Sequence, residues 1–105
     1  MPELIHIVLV KLKPSVRSDE SAFSTFVTKC NELGTYPSLQ PLLTEFKWAE
    51  PVYADRTKGF NWALYSRFRH REDYEKYRDD EGHRTFVKEV MSPALDEIMA
   101  YDLEV

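Results

Sequence analysis

The nine residues Leu4-Ile5-His6-Ile7-Val8-Leu9-Val10-Lys11-Leu12, held between Pro2 and Pro14, decide how this chain folds. Successive side chains of an extended strand point to opposite faces, so Ile5, Ile7 and Leu9 share one side. His6, Val8, Val10 and Leu12 share the other. Apolar residues on both sides describe a strand covered on both faces, unlike the apolar-polar alternation of a half-exposed one. His6 therefore faces a buried or nearly buried environment, where the ordinary role is a core imidazole with one satisfied nitrogen.

Downstream, Ser18-Asp19-Glu20 opens a helix, with Ser18 as the expected N-cap and acidic residues at the positive end of the dipole. Phe23, Phe26, Val27, Cys30 and Leu33 recur at helical spacing, and Gly34 supplies the stop. Such a one-faced helix lies on a sheet. Leu42 to Val52 reads as a second strand, with Phe46 and Trp48 opposite Glu45 and Lys47; Pro51 ends its pairing or places it at an edge. Phe60 to Phe68 reads as a third strand, with Phe60, Trp62, Leu64 and Phe68 on one face. Arg69 to Arg78 is a short charged helix with Tyr74 and Tyr77 on one side. A further helix carries Phe86, Val87, Val90 and Met91, is interrupted or restarted at Pro93, and continues through Leu95 and Ile98. Met99 to Val105 alternates as a closing strand.

The order strand, helix, strand, strand, helix pair, strand predicts an α+β, ferredoxin-like βαββαβ domain over residues 1–105, an antiparallel four-stranded sheet with helices on one face. Helices shield one face only. The apolar residues of the other face then require a second copy of the chain or a cavity, since large exposed apolar patches are uncommon on monomers. A homodimer, two sheets face to face around an apolar space, is the expected assembly.

At 105 residues, the hydrophobic fraction of 43% suffices for a real core, so disorder is not expected. A net charge of -4, with no dense lysine or arginine run, excludes a typical nucleic-acid or membrane-surface binder. Cys30 is the sole cysteine, so no internal disulfide forms. No secretory leader pattern or long apolar span is visible, and a cytoplasmic location is expected. On the apolar stripe, with nothing basic spaced to activate it, Cys30 reads as a structural thiol. His6, His70 and His83 lack metal-ligand spacing, and no glycine-rich phosphate loop or nucleophile elbow is present. Neither a metal nor a cofactor is expected.

The candidate chemistry sits in Tyr77-Arg78-Asp79-Asp80-Glu81-Gly82-His83-Arg84-Thr85-Phe86. Gly82 reads as a joint between two helices, because glycine weakens a helix interior by about 1 kcal/mol. His83 near a helix N-terminus is a candidate acid/base, and Tyr77 a group that fixes its tautomer or steadies an enolate. The competing structural reading is a hydrogen-bonded Tyr77–His83 pair that pins the joint. Phe60, Trp62, Phe46 and Trp48 are aromatic candidates for core, dimer contact or ligand cage.

Three stretches together resemble the stress-responsive dimeric α/β-barrel family: His6 to Lys13, ending in lysine-apolar-lysine; Gly59-Phe60-Asn61-Trp62-Ala63-Leu64; and Tyr77 through His83 to Phe86, with Val90 and Pro93 behind. The resemblance spans nearly the whole chain. Its best-understood activity, the olivetolic acid cyclase of plants, closes a linear polyketide thioester by intramolecular aldol condensation. The resemblance implies His83 as general base, Tyr77 as its partner, His6 as a pocket histidine, and a substrate site that includes Trp62, Phe60 and Trp48. Trp62 and Asp80-Glu81 depart from the cyclase pattern, which has histidine and histidine-proline there. A cofactor-independent cyclase or lyase acting on a small apolar or polyketide-like ligand is one expectation. A non-catalytic stress-response or hydrophobic-ligand-binding dimer is the other.

Overall fold

Alternating burial along the first strand sets the two-layer arrangement. The computed structural model describes residues 2–105. In chain order these form β1 (Leu4–Leu12), a single turn α1 (Pro14–Arg17), α2 (Glu20–Leu33), β2 (Leu43–Ala49), β3 (Trp62–Phe68), α3 (Arg71–Asp79) and α4 (Glu81–Phe86). A π-helical turn over Val87–Met91, the short α5 (Ser92–Ala94) and β4 (Leu95–Glu104) complete the chain. The strands lie in the order β2-β3-β1-β4, every neighbouring pair antiparallel, as the ferredoxin-like reading expects. No helix among the described residues is long and apolar enough to cross a membrane.

Leu4, His6, Val8, Val10 and Leu12 of β1, with Trp62, Leu64, Ser66 and Phe68 of β3, are buried beneath the helices. Phe26, Cys30 and Leu33 of α2, Tyr77 of α3, Phe86 and Met91 close the core from above. Burial pushes the Cys30 thiol up to about 12, with the Trp62 indole opposing, so the thiol stays protonated and inert. Ile5, Ile7 and Leu9 point to the other face, which no helix covers.

Several boundaries differ from expectation. The cap of α2 is Asp19, not Ser18; its carboxylate accepts from the Ala22 N–H at 2.9 Å. Gly34 does end α2, but with an ordinary right-handed backbone. A Cβ there would stand 2.5 Å from the Phe46 ring, so glycine is needed for close approach of β2. Phe60 lies outside β3, which begins at Trp62, and lines a groove with Leu9, Trp62, Ala63 and Met99. A left-handed turn at Lys58 and Gly59 precedes it, and Lys11 reaches over the Phe60 ring.

The last helix stops at Ala94 rather than running through Leu95 and Ile98. Pro93 lacks an N–H and crowds the carbonyl four residues back. The preceding turn widens, with the Ser92 N–H reaching the Val87 carbonyl, and β4 begins at Leu95. The joint between α3 and α4 falls at Asp80, whose backbone is extended (φ -60°, ψ 136°). Gly82 sits inside α4: a Cβ there would lie 3.0 Å from the Asp80 carboxylate and 3.2 Å from the Tyr36 ring.

Candidate functional site

Residues from both layers meet at a cavity of about 150 Å³ between sheet and helices. β1 supplies His6 and Val8, β2 Trp48, β3 Leu64, and the helical layer Tyr74, Tyr77, His83, Phe86 and Met91. The volume is of the size at which apolar cavities take up benzene-like molecules. The space lies inside one chain, under the helices. The expectation of a ligand space between two facing sheets is thereby corrected for these side chains, because His6 alternates with Ile5 and Ile7 and turns away from the uncovered face.

His83 is held from two directions. The Asp80 carboxylate caps α4 by accepting from the His83 backbone N–H at 3.1 Å. Nδ1 of the ring lies 3.1 Å from the Arg78 carbonyl oxygen. A carbonyl only accepts, so Nδ1 carries the proton and the lone pair stands on Nε2. Burial, followed by the nearby His6, holds the His83 pKa below its ordinary 6.5 against the Arg78 carbonyl and Asp80. The imidazole is thus neutral at pH 7, and the cause is desolvation more than a helix dipole.

Tyr77 packs its ring 4.4 Å from that of His83, tilted by 40°. The two form a ring contact rather than the hydrogen-bonded pin considered from sequence; the polar contact of the His83 ring is that of Nδ1 with the Arg78 carbonyl. Tyr77 is 1% exposed, and burial holds its hydroxyl well above the usual tyrosine range. The phenol remains a protonated donor throughout the physiological range.

His6 is fixed by a partner that the sequence reading missed. Its Nδ1–H donates to the Asp102 carboxylate of β4, and its ring lies 4.7 Å from Tyr74 and 6.3 Å from Tyr77. The backbone around it is also secured, since Ser66 Oγ donates to the His6 carbonyl at 3.0 Å. Asp102 was legible in principle: β4 beside β1 in antiparallel register sets His6 opposite Asp102.

The structure thus brings together His6, Tyr77, His83 and Trp48. Trp62 and Phe60 do not line this cavity. Trp62 stacks on Trp48 at 6.1 Å and meets Phe23 edge-on at 5.6 Å within the core. His70 takes the N-cap position of α3 without a side-chain capping bond. Among the described residues no three His, Cys, Asp or Glu side chains gather to hold a metal ion.

The two-layer βαββαβ fold with a histidine–tyrosine cavity between its layers defines a ferredoxin-like class of small α+β protein. Within that class the chain belongs to the stress-responsive A/B barrel domain (Dabb) family, whose model matches residues 4–105. No curated protein sequence matches it. A Dabb protein of ferredoxin-like fold from Mesorhizobium loti superposes with a TM-score of 0.81 at 17% identity, covering 98% of this chain and 96% of that one. The hydroxynitrile lyase of Passiflora edulis superposes at 0.80 and 21% identity, over 98% and 93% of the two chains. A dimeric ferredoxin-like protein of unknown function from Thermobifida fusca gives 0.79 at 16% identity, over 99% and 92%. Two further ferredoxin-like neighbours are likewise described as dimeric.

Proposed function

We propose that this chain is a cofactor-independent acid/base catalyst of the cyclase or lyase kind, acting on a small apolar or polyketide-like carbonyl compound. The observation that carries the reading is the neutral His83 imidazole, its Nδ1–H given to the Arg78 carbonyl and its lone pair left on Nε2 beside Tyr77. In this reading Nε2 accepts a proton from an acidic C–H or O–H of the substrate. The Tyr77 phenol donates to the oxygen on which negative charge gathers, and the apolar surroundings strengthen that bond. From a C–H substrate the enolate carbon bonds to a second carbonyl of the same molecule and the imidazolium protonates the alkoxide. From a hydroxynitrile O–H the carbon–cyanide bond breaks and the proton passes to the departing cyanide, so His83 returns to its starting form in both cases. His6, braced by Asp102, orients the substrate from the sheet side, with Trp48 against its apolar part.

The working unit in this proposal is a homodimer. Met99 and Tyr101 of β4 are 47% and 63% exposed and stand beside Ile5, Ile7 and Leu9 on the uncovered sheet face. An apolar strip of that kind on a monomer is uncommon.

The test is turnover. Wild type and His83→Ala are incubated with an aromatic hydroxynitrile, followed by aldehyde release, and with a linear polyketide thioester, followed by ring closure. Conversion of either substrate that disappears in His83→Ala supports the proposal. Ligand binding in the cavity without conversion of either supports the non-catalytic ligand-binding dimer instead.

A further inference from the structure

His83 borders two spaces, and the second carries a different chemistry. Outside the apolar cavity lies a groove of about 390 Å³ lined by Arg78, His83, Arg84, Val87, Lys88 and Ser92. His83 and Val87 line both spaces and form their common wall. The groove contributes three cations and no carboxylate to its lining, in a chain whose net charge is -4. Two neighbouring acids are engaged within the fold. Asp79 accepts from Arg78 at 2.9 and 3.0 Å and lies 3.9 Å from Arg84. Asp80 caps the His83 N–H. Asp79 thereby ties the two guanidinium groups along one edge, and Lys88 stands on the π-helical turn.

We infer that this groove seats an oxyanion, so that the site takes amphiphilic anions: an apolar body of roughly benzene size in the inner cavity and a carboxylate or phosphate head beside Arg84 and Lys88. The inference rests on the reading that the His83 cavity receives the ligand, and it adds the charge and the polarity of that ligand. The two-part site explains a feature that an apolar pocket alone leaves unexplained, namely why the wall next to the base is rimmed by cations. The head group holds the apolar body in register with Nε2 without touching the inner residues.

The probes are benzoate, phenyl phosphate and neutral benzamide, titrated calorimetrically into wild type and into the Arg84→Gln/Lys88→Gln double variant. The His83 ring resonances are followed by NMR in the same samples. Both substituted side chains are exposed, so the variant retains the fold. In wild type at least one anion binds about tenfold or more tightly than benzamide and shifts the His83 resonances. The double variant loses that preference while its benzamide affinity changes by less than about twofold. The tighter of the two anions names the head group. Equal affinity for anion and amide, or a preference that survives in the variant, overturns the inference and leaves the cavity reading intact. Failure of all three probes to bind or to shift His83 overturns both.

Discussion

Removing the Tyr77 hydroxyl separates a structural role from a chemical one. Tyr77→Phe keeps the ring that packs 5.2 Å from Phe68 and 4.4 Å from His83, so no cavity opens in the core. What is lost is a hydroxyl on a side chain of the cavity wall. A hydroxyl that serves the ligand rather than the fold contributes little to folding, so its deletion is expected to leave stability unchanged or raise it by up to about 1 kcal/mol. For a domain of this size that is a melting temperature between unchanged and about 4 °C higher. The assay is thermal unfolding by circular dichroism beside turnover of whichever substrate wild type converts. Conversion is expected to fall about 10²-fold, the usual loss when one donor to a developing oxyanion is removed. A variant that melts 4 °C or more below wild type would refute the reasoning, because the hydroxyl would then be bonded within the fold.

Gly82→Ala sets a helix-propensity gain of about 1 kcal/mol against crowding of the Asp80 cap and the Tyr36 ring; a net loss of about 1 kcal/mol is expected in denaturant titration. Asp102→Ala leaves the His6 Nδ1–H without its acceptor and costs about 1 kcal/mol, because Asp102 is partly exposed; Asp102→Asn, which keeps an acceptor oxygen, recovers part of it. Below pH 6.5 the unfolded chain protonates His83 before the folded one does, since the folded pKa is the lower. Stability therefore falls as pH drops through 6.5 toward that folded value, and the fall is smaller in His83→Gln when both are unfolded at pH values bracketing 6.5.

Much of the fold was legible because local patterns and global architecture agree. The stripe Phe26, Cys30, Leu33 could face only a sheet, and the alternation along Leu4 to Leu12 set His6, Val8, Val10 and Leu12 together on the buried face, with Ile5, Ile7 and Leu9 on the face no helix covers. Errors concentrate where side-chain type carries no directional information. Phe60 is as apolar as Trp62, yet after the left-handed turn at Lys58 and Gly59 it falls outside β3. Gly82 resembles a hinge in sequence, whereas the Asp80 carboxylate and the Tyr36 ring are what crowd a side chain there. Within the site, His6, Tyr77 and His83 stood out as the unusual residues on apolar faces. Asp102 did not, because an acid on an alternating strand reads as solvent-facing until the register beside β1 is known. The Arg78 carbonyl, which sets the tautomer of His83, has no signature in any sequence.

The bond between His6 and Asp102 spans 96 positions, joining the first strand to the last. Asp102 lies further along the chain than any residue of the cavity wall. Contacts this distant along the chain also form late in refolding, after local structure has closed the intervening loops. A chain in which β4 has not docked presents an unbraced His6 and an open β1 edge. In that state the edge of β1 is a template for another strand, and its pairing with β4 ends both exposures in one event.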